Sequence, residues 1–193
     1  MVRQIAHFQN EGKKHKIIYR DRDYHGTTIG AMSSTGQLQR KKQYGPFVPG
    51  FVEMPHCCCY RCPFGKKYGE CNIECATALE DIIKTEGPDT VGSVVLEPIT
   101  AGGGVIPPVP EYFPIIESIC RKYDVLLHID EVVCGLGRTG KWFGYQHYDV
   151  QPDIVTTAKG LAAGYAAVSI TVTTERIFNM FKEDPSNIDS YFR

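Results

Sequence analysis

The stretch VLLHIDE, residues 125–131, indicates the fold class of this chain. It is a short, mostly apolar run that does not alternate with polar residues, and it ends in two carboxylates. VGSVVLE (91–97), which ends in one carboxylate, and DIVTTA (153–158) are similar short apolar runs. Continuous apolar strands are buried on both faces, which is typical of parallel sheets covered by helices. The pattern therefore predicts an α/β fold with three layers around a mainly parallel sheet.

The segments around these strands carry patterns of their own. Helical spacing or amphipathic patterning predicts helices over 2–8, 71–87 and 110–123, and short apolar runs predict strands over 16–19 and 167–173. Residues 36–70 contain several Pro and Gly residues and show no steady period, so they are predicted to form a long loop. With the cysteines that follow it, this segment is treated as a cysteine-rich loop over 36–75.

Composition excludes several classes of protein. The chain has 193 residues and a formal net charge of −1, so it lacks the strong basic field that nucleic acid attracts. Its apolar runs are far shorter than the roughly 20 residues of a membrane span, and its first residues lack the apolar core of a signal peptide. We therefore expect a cytoplasmic protein without nucleic-acid or membrane partners. Its eight cysteines are expected to be reduced thiols or metal ligands.

Charged residues follow the predicted strands at the edge of the sheet where ligands bind in α/β folds. They are Glu97, Asp130 and Lys159, the last lying among small residues in TTAKGLAAGYAA (156–167). We expect Lys159 to be partly shielded from water, which would lower its pKa and make it a nucleophile able to form a Schiff base. An aspartate that protonates a pyridine nitrogen, together with such a lysine, is what pyridoxal phosphate requires. An ordinary ion pair between Asp130 and Lys159 is the alternative.

Longer motifs support the first interpretation. HIDEVVCGLGRTGKWFGYQHYDVQPDIVTTAKGLAAGY (128–165) resembles the signature of class III pyridoxal-phosphate aminotransferases, and YHGTT (24–28) and LEPITAGGGV (96–105) match two further family segments in the expected order. The resemblance spans nearly the whole chain. It implies the large domain of the aspartate-aminotransferase-like enzymes of fold type I, with pyridoxal 5'-phosphate as cofactor.

The resemblance implies a role for individual residues. Lys159 would bind the cofactor covalently and move protons, and Asp130 would keep the pyridine nitrogen protonated. Val132 and Tyr24 would cover opposite faces of the ring. Three further residues complete the predicted site. His25 and Gly26 would shape the turn, His25 more as a structural than as a catalytic residue, and Glu97 would either support the network of Asp130 or pair locally.

Two departures from relatives that use 2-oxoglutarate narrow the substrates. Gly102 stands where those relatives commonly have a gating Glu, and Val133 stands where they have Gln. The chain is therefore more similar to the branch that moves an amino group from an ω-amino compound to pyruvate, with taurine, β-alanine, 4-aminobutyrate and simple amines as candidate donors. KGLAAGYAAVS and YRCPFG are most similar to taurine:pyruvate aminotransferases. Another fold type I enzyme, such as a decarboxylase, racemase or aminomutase, is the alternative within the enzyme class.

The cysteines admit a different interpretation. Cys59, Cys62, Cys71 and Cys75 have a spacing that suits zinc or an iron–sulfur cluster, and a non-catalytic cysteine-rich metal-binding fragment is therefore a further alternative. Because aminotransferase chemistry needs no metal, free reduced thiols are the preferred interpretation. Cys120 and Cys134 are expected to be small core residues.

The length of the chain also bears on its function. Full-length enzymes of the family are more than twice as long, so residues 1–193 are expected to be part of the large, cofactor-binding domain, without its N-terminal part and without the C-terminal small domain. We expect little activity from this part alone. The resemblance implies a homodimer or higher oligomer for the full-length protein, with a small-molecule amino donor and a 2-oxo acid acceptor as its partners.

Overall fold

The computed structural model describes residues 1–182, and six strands in it form one sheet. The strands are β1 (Lys16–Arg20), β2 (Phe51–Met54), β3 (Val91–Leu96), β4 (Leu126–Asp130), β5 (Ile154–Thr157) and β6 (Ile170–Thr173). Their order across the sheet is β2-β1-β3-β4-β5-β6. All neighbours are parallel except β5 and β6, which are antiparallel. The predicted α/β fold with a mainly parallel sheet is confirmed.

Helices cover both faces of the sheet. They are α1 (Val2–Asn10), α2 (Ile29–Ser33), α3 (Leu38–Lys41), α4 (Glu74–Glu86), α5 (Tyr112–Lys122) and α6 (Glu175–Lys182). Leu127 of β4 belongs to a core that α4 and α5 complete, whereas Leu126 belongs to a second core with α1 and α6. Because successive strand residues point to opposite faces, these two cores lie on opposite sides of the sheet. None of the helices within residues 1–182 is long and apolar enough to cross a membrane.

The segment 36–75 is more ordered than the sequence pattern predicts. It contains α3 and strand β2, which pairs in parallel with β1 through Ile17 opposite Phe51 and Ile18 opposite Val52. The prediction of one continuous loop is therefore wrong for Leu38–Lys41 and for Phe51–Met54. The strand has only four residues and lies at the sheet edge between glycine and proline, where the local pattern is too short to identify it.

The backbone of Gly36 packs directly against the backbone at the end of β1, so this position requires a residue without a side chain. A Cβ at this position would lie 2.2 Å from the carbonyl oxygen of Arg20 and 2.6 Å from the backbone nitrogen of Arg22. We expect Gly36→Ala to lower the free energy of unfolding by about 2 to 3 kcal/mol, because backbone atoms cannot yield easily.

Gly30→Ala is the matched control, because a Cβ at Gly30 in α2 meets no heavy atom within 4 Å. Alanine is the better helix former, so this change should be neutral or stabilise by up to about 1 kcal/mol. Denaturant unfolding of the two variants measures the difference. Equal stability of both variants would contradict the predicted backbone clash.

Candidate active site

Asp130 lies at the carboxyl end of β4 and is only 6% exposed. Its Oδ1 accepts the backbone N–H of Val132 at 3.0 Å, and its Oδ2 lies 2.7 Å from Nδ1 of His25. Burial alone would raise the pKa of Asp130, but the hydrogen bond and charge of His25 and the N–H of Val132 lower this pKa below its ordinary value. The carboxylate is therefore held ionised in a site largely shielded from water.

His25 is brought to Asp130 by the loop that follows β1. Its backbone N–H donates to Oγ1 of Thr35 at 3.1 Å, and the next residue, Gly26, has a φ of +132°, which favours glycine. Burial would lower the pKa of His25, but the hydrogen bond and charge of Asp130, with smaller effects of Asp23 and Glu97, raise it. This ion pair is the contact that the sequence did not reveal, since it joins residues 105 positions apart.

The pair makes stability depend on pH in a defined direction. Because the pKa of His25 is raised, the protonated imidazole contributes fully below its ordinary value of 6.5, and this contribution is lost as pH rises through the raised pKa. The pKa of Asp130 is lowered, so its contribution is present above the ordinary value of 3.8 and is lost as pH falls through the lowered pKa.

We expect His25→Gln to lower the free energy of unfolding by about 1.5 kcal/mol near pH 6. In this variant the free energy of unfolding should also fall less steeply as the pH is raised. Denaturant unfolding at a series of pH values measures this dependence. The control is His7→Gln, because His7 is exposed on α1. If His25→Gln kept the pH dependence of the unsubstituted protein, the ion pair would not exist in solution.

Glu97, just after β3, fixes the backbone that carries Tyr24. Its Oε1 accepts the N–H of Tyr24 at 2.7 Å, and its Oε2 accepts the N–H of Ala101 at 2.9 Å. Burial and the nearby Asp23 carboxylate raise the pKa of Glu97 to about 7, although these two N–H groups lower it. Glu97 thus pairs locally and positions Tyr24, one of the two alternatives predicted for it.

A buried ion pair between Arg20 and Asp23 stabilises the loop that leads to Tyr24. The Arg20 side chain is fully buried at the end of β1, and its guanidinium donates to Oδ1 of Asp23 at 3.0 Å and to the carbonyl oxygen of Glu97 at 2.7 Å. The other oxygen of Asp23 accepts the N–H of Glu97 at 2.9 Å. These bonds join the ends of β1 and β3 and hold the loop before Tyr24 in place.

Lys159 follows β5 and therefore lies at the same carboxyl ends of the strands as Asp130. Its side chain is exposed to solvent, whereas the sequence pattern predicts that it is partly shielded from water. Within residues 1–182 its side chain makes no ion pair or hydrogen bond, and the alternative of an ion pair with Asp130 is also wrong, because His25 occupies that carboxylate. Its small neighbours leave the ammonium open to solvent. Lys159 and Val132 line one open pocket, together with the loop over residues 135–138.

Known proteins resemble this chain in both sequence and structure. The family model described as Aminotransferase class-III matches residues 1–186. The chain belongs to the class-III aminotransferase family. The family resemblance inferred from the motifs is thereby confirmed.

Individual relatives narrow the comparison. The chain is 61% identical to a hypotaurine/taurine–pyruvate aminotransferase of Paracoccus denitrificans and 59% identical to a taurine–pyruvate aminotransferase of Rhodobacter capsulatus. Each match covers 100% of this chain and 42% of the relative. A Bacillus anthracis aminotransferase of known structure superposes with a TM-score of 0.89 at 37% identity, covering 100% of this chain and 42% of that one. The class-III chain described here thus spans less than half the length of the relatives it matches.

The arrangement suits pyridoxal phosphate, the cofactor that the family resemblance implies. Asp130 offers a buried, ionised carboxylate to a pyridinium nitrogen, and the small residues around Lys159 leave its amine accessible to an aldehyde. Val132 lies two residues after Asp130 and faces the pocket of Lys159. Tyr24 lies on the separate loop fixed by Glu97. The placement of a cofactor ring between Val132 and Tyr24 stays a prediction.

The cysteine-rich segment forms a second pocket away from these residues. Six of the eight cysteines line it: Cys57, Cys58, Cys59, Cys62, Cys71 and Cys75. Burial and neighbouring thiols raise the pKa of Cys59, and they raise the pKa of Cys75 to about 12. Within the described part of the chain, no three His, Cys, Asp or Glu side chains are arranged to hold a metal ion.

All eight cysteines are free thiols. Cys120 and Cys134 are buried, at 0% and 3% exposure, which confirms their predicted place in the core. The remaining six are free thiols as well, and their role as reduced thiols or as metal ligands stays a prediction.

Proposed function

We propose that this chain is the cofactor-binding part of a pyridoxal-phosphate-dependent transaminase that moves an amino group from an ω-amino compound to pyruvate. Taurine is the favoured donor, with β-alanine and 4-aminobutyrate as close candidates. One observation carries the proposal. The buried carboxylate of Asp130, paired with His25, lies at the same carboxyl ends of the strands as the solvent-accessible amine of Lys159. The identity of about 60% to taurine–pyruvate aminotransferases supports the choice of donor.

Each residue of the candidate site has a separate role in the proposed reaction. When bound, the protonated cofactor ring withdraws electrons from the carbon that carries the amino group. Asp130 would hold the proton on the pyridine nitrogen, and His25 stabilises that carboxylate through its Oδ2. The Nζ of Lys159 would hold the cofactor through its aldehyde, and the same amine would move the proton at the substrate carbon. Tyr24 and Val132 would hold the cofactor ring by packing against it.

The proposal extends to the whole protein. Residues 1–193 would form part of the large domain, completed by an N-terminal part and a C-terminal small domain, and two copies or more would assemble. Exposed apolar side chains support an assembly, since Tyr165 is 95% and Trp142 73% exposed, and Ile170 and Val172 of β6 are also exposed. Eight free thiols suit a reducing, cytoplasmic location.

Two other functions are alternatives to this proposal. A decarboxylase, racemase or aminomutase of the same fold would use the same Asp130 and Lys159, so only the products distinguish it. A non-catalytic cysteine-rich metal-binding fragment is not favoured, because the family match extends over residues 1–186 and not only over the cysteine segment.

The test is amino transfer by the protein expressed from its complete reading frame and loaded with pyridoxal phosphate. Alanine formation from pyruvate is measured with taurine, β-alanine, 4-aminobutyrate or propylamine as donor. We expect taurine to give the highest kcat/KM. Consumption of a donor without alanine formation would contradict the proposal and favour one of the other fold type I reactions.

A further inference from the structure

Arg40 presents an unused cationic group beside Tyr24. Its guanidinium carbon lies 4.8 Å from the centre of the Tyr24 ring, and its Nε donates to Oε1 of Gln37 at 2.6 Å. Arg40 is exposed, and its two terminal amino groups make no hydrogen bond or ion pair with residues 1–182. The side chain is therefore held by its Nε and by the contact of the guanidinium with the Tyr24 ring. Its two terminal amino groups, which can bind an anion, have no partner within residues 1–182.

Gln37 sets the direction of Arg40. It is only 2% exposed, and its Nε2 donates to the carbonyl oxygen of Arg22 at 3.0 Å, so that Oε1 is turned towards Arg40. Gly102 provides the space for this amide, because a Cβ at position 102 would lie 2.9 Å from Nε2 of Gln37. A larger residue at 102 would displace Gln37 and with it the support of Arg40.

The open guanidinium has a defined ligand chemistry. Its planar fork matches the oxygens of a carboxylate or sulfonate, and a charge-assisted pair of this kind is stronger than a neutral hydrogen bond. The proposed donors carry an amine at one end and an acidic group at the other. The amine must reach the cofactor carbon beside Lys159, so the acidic group at the other end of the donor has to bind at a different point of the active site.

We propose that Arg40 binds the sulfonate or carboxylate of the ω-amino donor, and that Gly102 and Gln37 position it for this role. The proposal rests on the proposed function for the identity of the donor. Tyr24, which is proposed to cover the cofactor ring, lies against the guanidinium of Arg40, and this contact would link recognition of the acid to placement of the amine.

Other arginines at this edge are less suited. Arg20 is fully buried and paired with Asp23, so its guanidinium is not accessible to a ligand from solvent. Arg138 lines the pocket of Lys159, but it lies on an exposed loop, and within residues 1–182 no hydrogen bond orients its side chain. Arg138 is therefore the rival that the experiment has to separate from Arg40.

Binding of ethanesulfonate tests the proposal without any turnover. This probe has the acidic group of taurine and no amine, and its dissociation constant is measured by calorimetry on the cofactor-loaded protein from the complete reading frame. We expect Arg40→Gln to weaken binding roughly 10- to 100-fold and Arg40→Lys to weaken it less, because one charge-assisted bidentate contact is lost. Gly102→Ala should weaken it as well, through Gln37. The control is Lys42→Gln, an exposed cation two residues further along.

Equal binding to Arg40→Gln and to the unsubstituted protein would overturn the proposal, as would no binding to the latter or a loss confined to Arg138→Gln. A kinetic comparison separates recognition from folding. Arg40→Gln should raise KM for taurine at least roughly 10-fold more than KM for propylamine, which has no acidic group, whereas an equal loss for both donors would mean a structural role only. If Arg40 governs ethanesulfonate binding but no alanine forms from any donor, the anion site stands and the proposed function fails.

Discussion

Replacing Lys159 with alanine is expected to reduce amino transfer to pyruvate at least roughly 10⁴-fold and to remove the absorbance band of covalently bound cofactor. The physical reason is that one amine performs two tasks, the covalent capture of the aldehyde and the transfer of the substrate proton. Lys159 is exposed and lines the pocket with Val132, so its replacement removes no buried contact. Stability should therefore stay within about 0.5 kcal/mol of the unsubstituted protein.

Lys67→Ala is the matched control, since Lys67 is an exposed lysine of the cysteine-rich segment. It should leave both the absorbance band and kcat unchanged. A Lys159→Ala protein that kept the band would show that another amine holds the cofactor, and the assignment of Lys159 would be wrong. Loss of activity together with unfolding would be recognised by circular dichroism.

Asp130→Asn is expected to lower kcat/KM roughly 10³-fold, because a neutral amide cannot hold the proton on the pyridine nitrogen. The amide retains the shape of the carboxylate and can still accept the N–H of Val132. It cannot form the ion pair with His25, whose pKa should then fall, since the hydrogen bond and charge of Asp130 are what raise it. The variant should therefore also lose stability, with the pH dependence of unfolding flattened as in His25→Gln.

The control for this change is Asp81→Asn, at an exposed position on α4. Steady-state kinetics with taurine and pyruvate, together with unfolding as a function of pH, measure both effects. Undiminished kcat/KM in Asp130→Asn would mean that this carboxylate does not control the cofactor ring. A loss of activity without a change in the pH dependence of unfolding would separate its catalytic role from its pairing with His25.

The main strands and helices could be predicted because their signals are local. The apolar run of β3 and the stop at Gly87 and Pro88 after α4 are visible within a few residues, and both elements lie where the pattern places them. The edge strand β2 was missed for the opposite reason. Its four residues acquire their meaning only from hydrogen bonds to β1, which begins 35 positions earlier in the chain.

The same distinction applies to the candidate site. The order of the strands and their parallel direction bring Glu97, Asp130 and Lys159 to one edge, and the position of each residue at the end of an apolar run already predicts this. The environment of each side chain was not predictable. Lys159 was expected to be shielded but is exposed, and Glu97 turned out to hold the backbone of Tyr24.

The sequence by itself therefore determined the α/β class, the family and the edge at which charged residues gather, because periodicity and motif spacing are encoded in neighbouring positions. Only the tertiary structure decided that His25 pairs with Asp130 and that Gly102 leaves room for Gln37 beneath Arg40. These contacts join residues 105 and 65 positions apart. Their geometry depends on how the sheet is assembled, and no local pattern of residues records it.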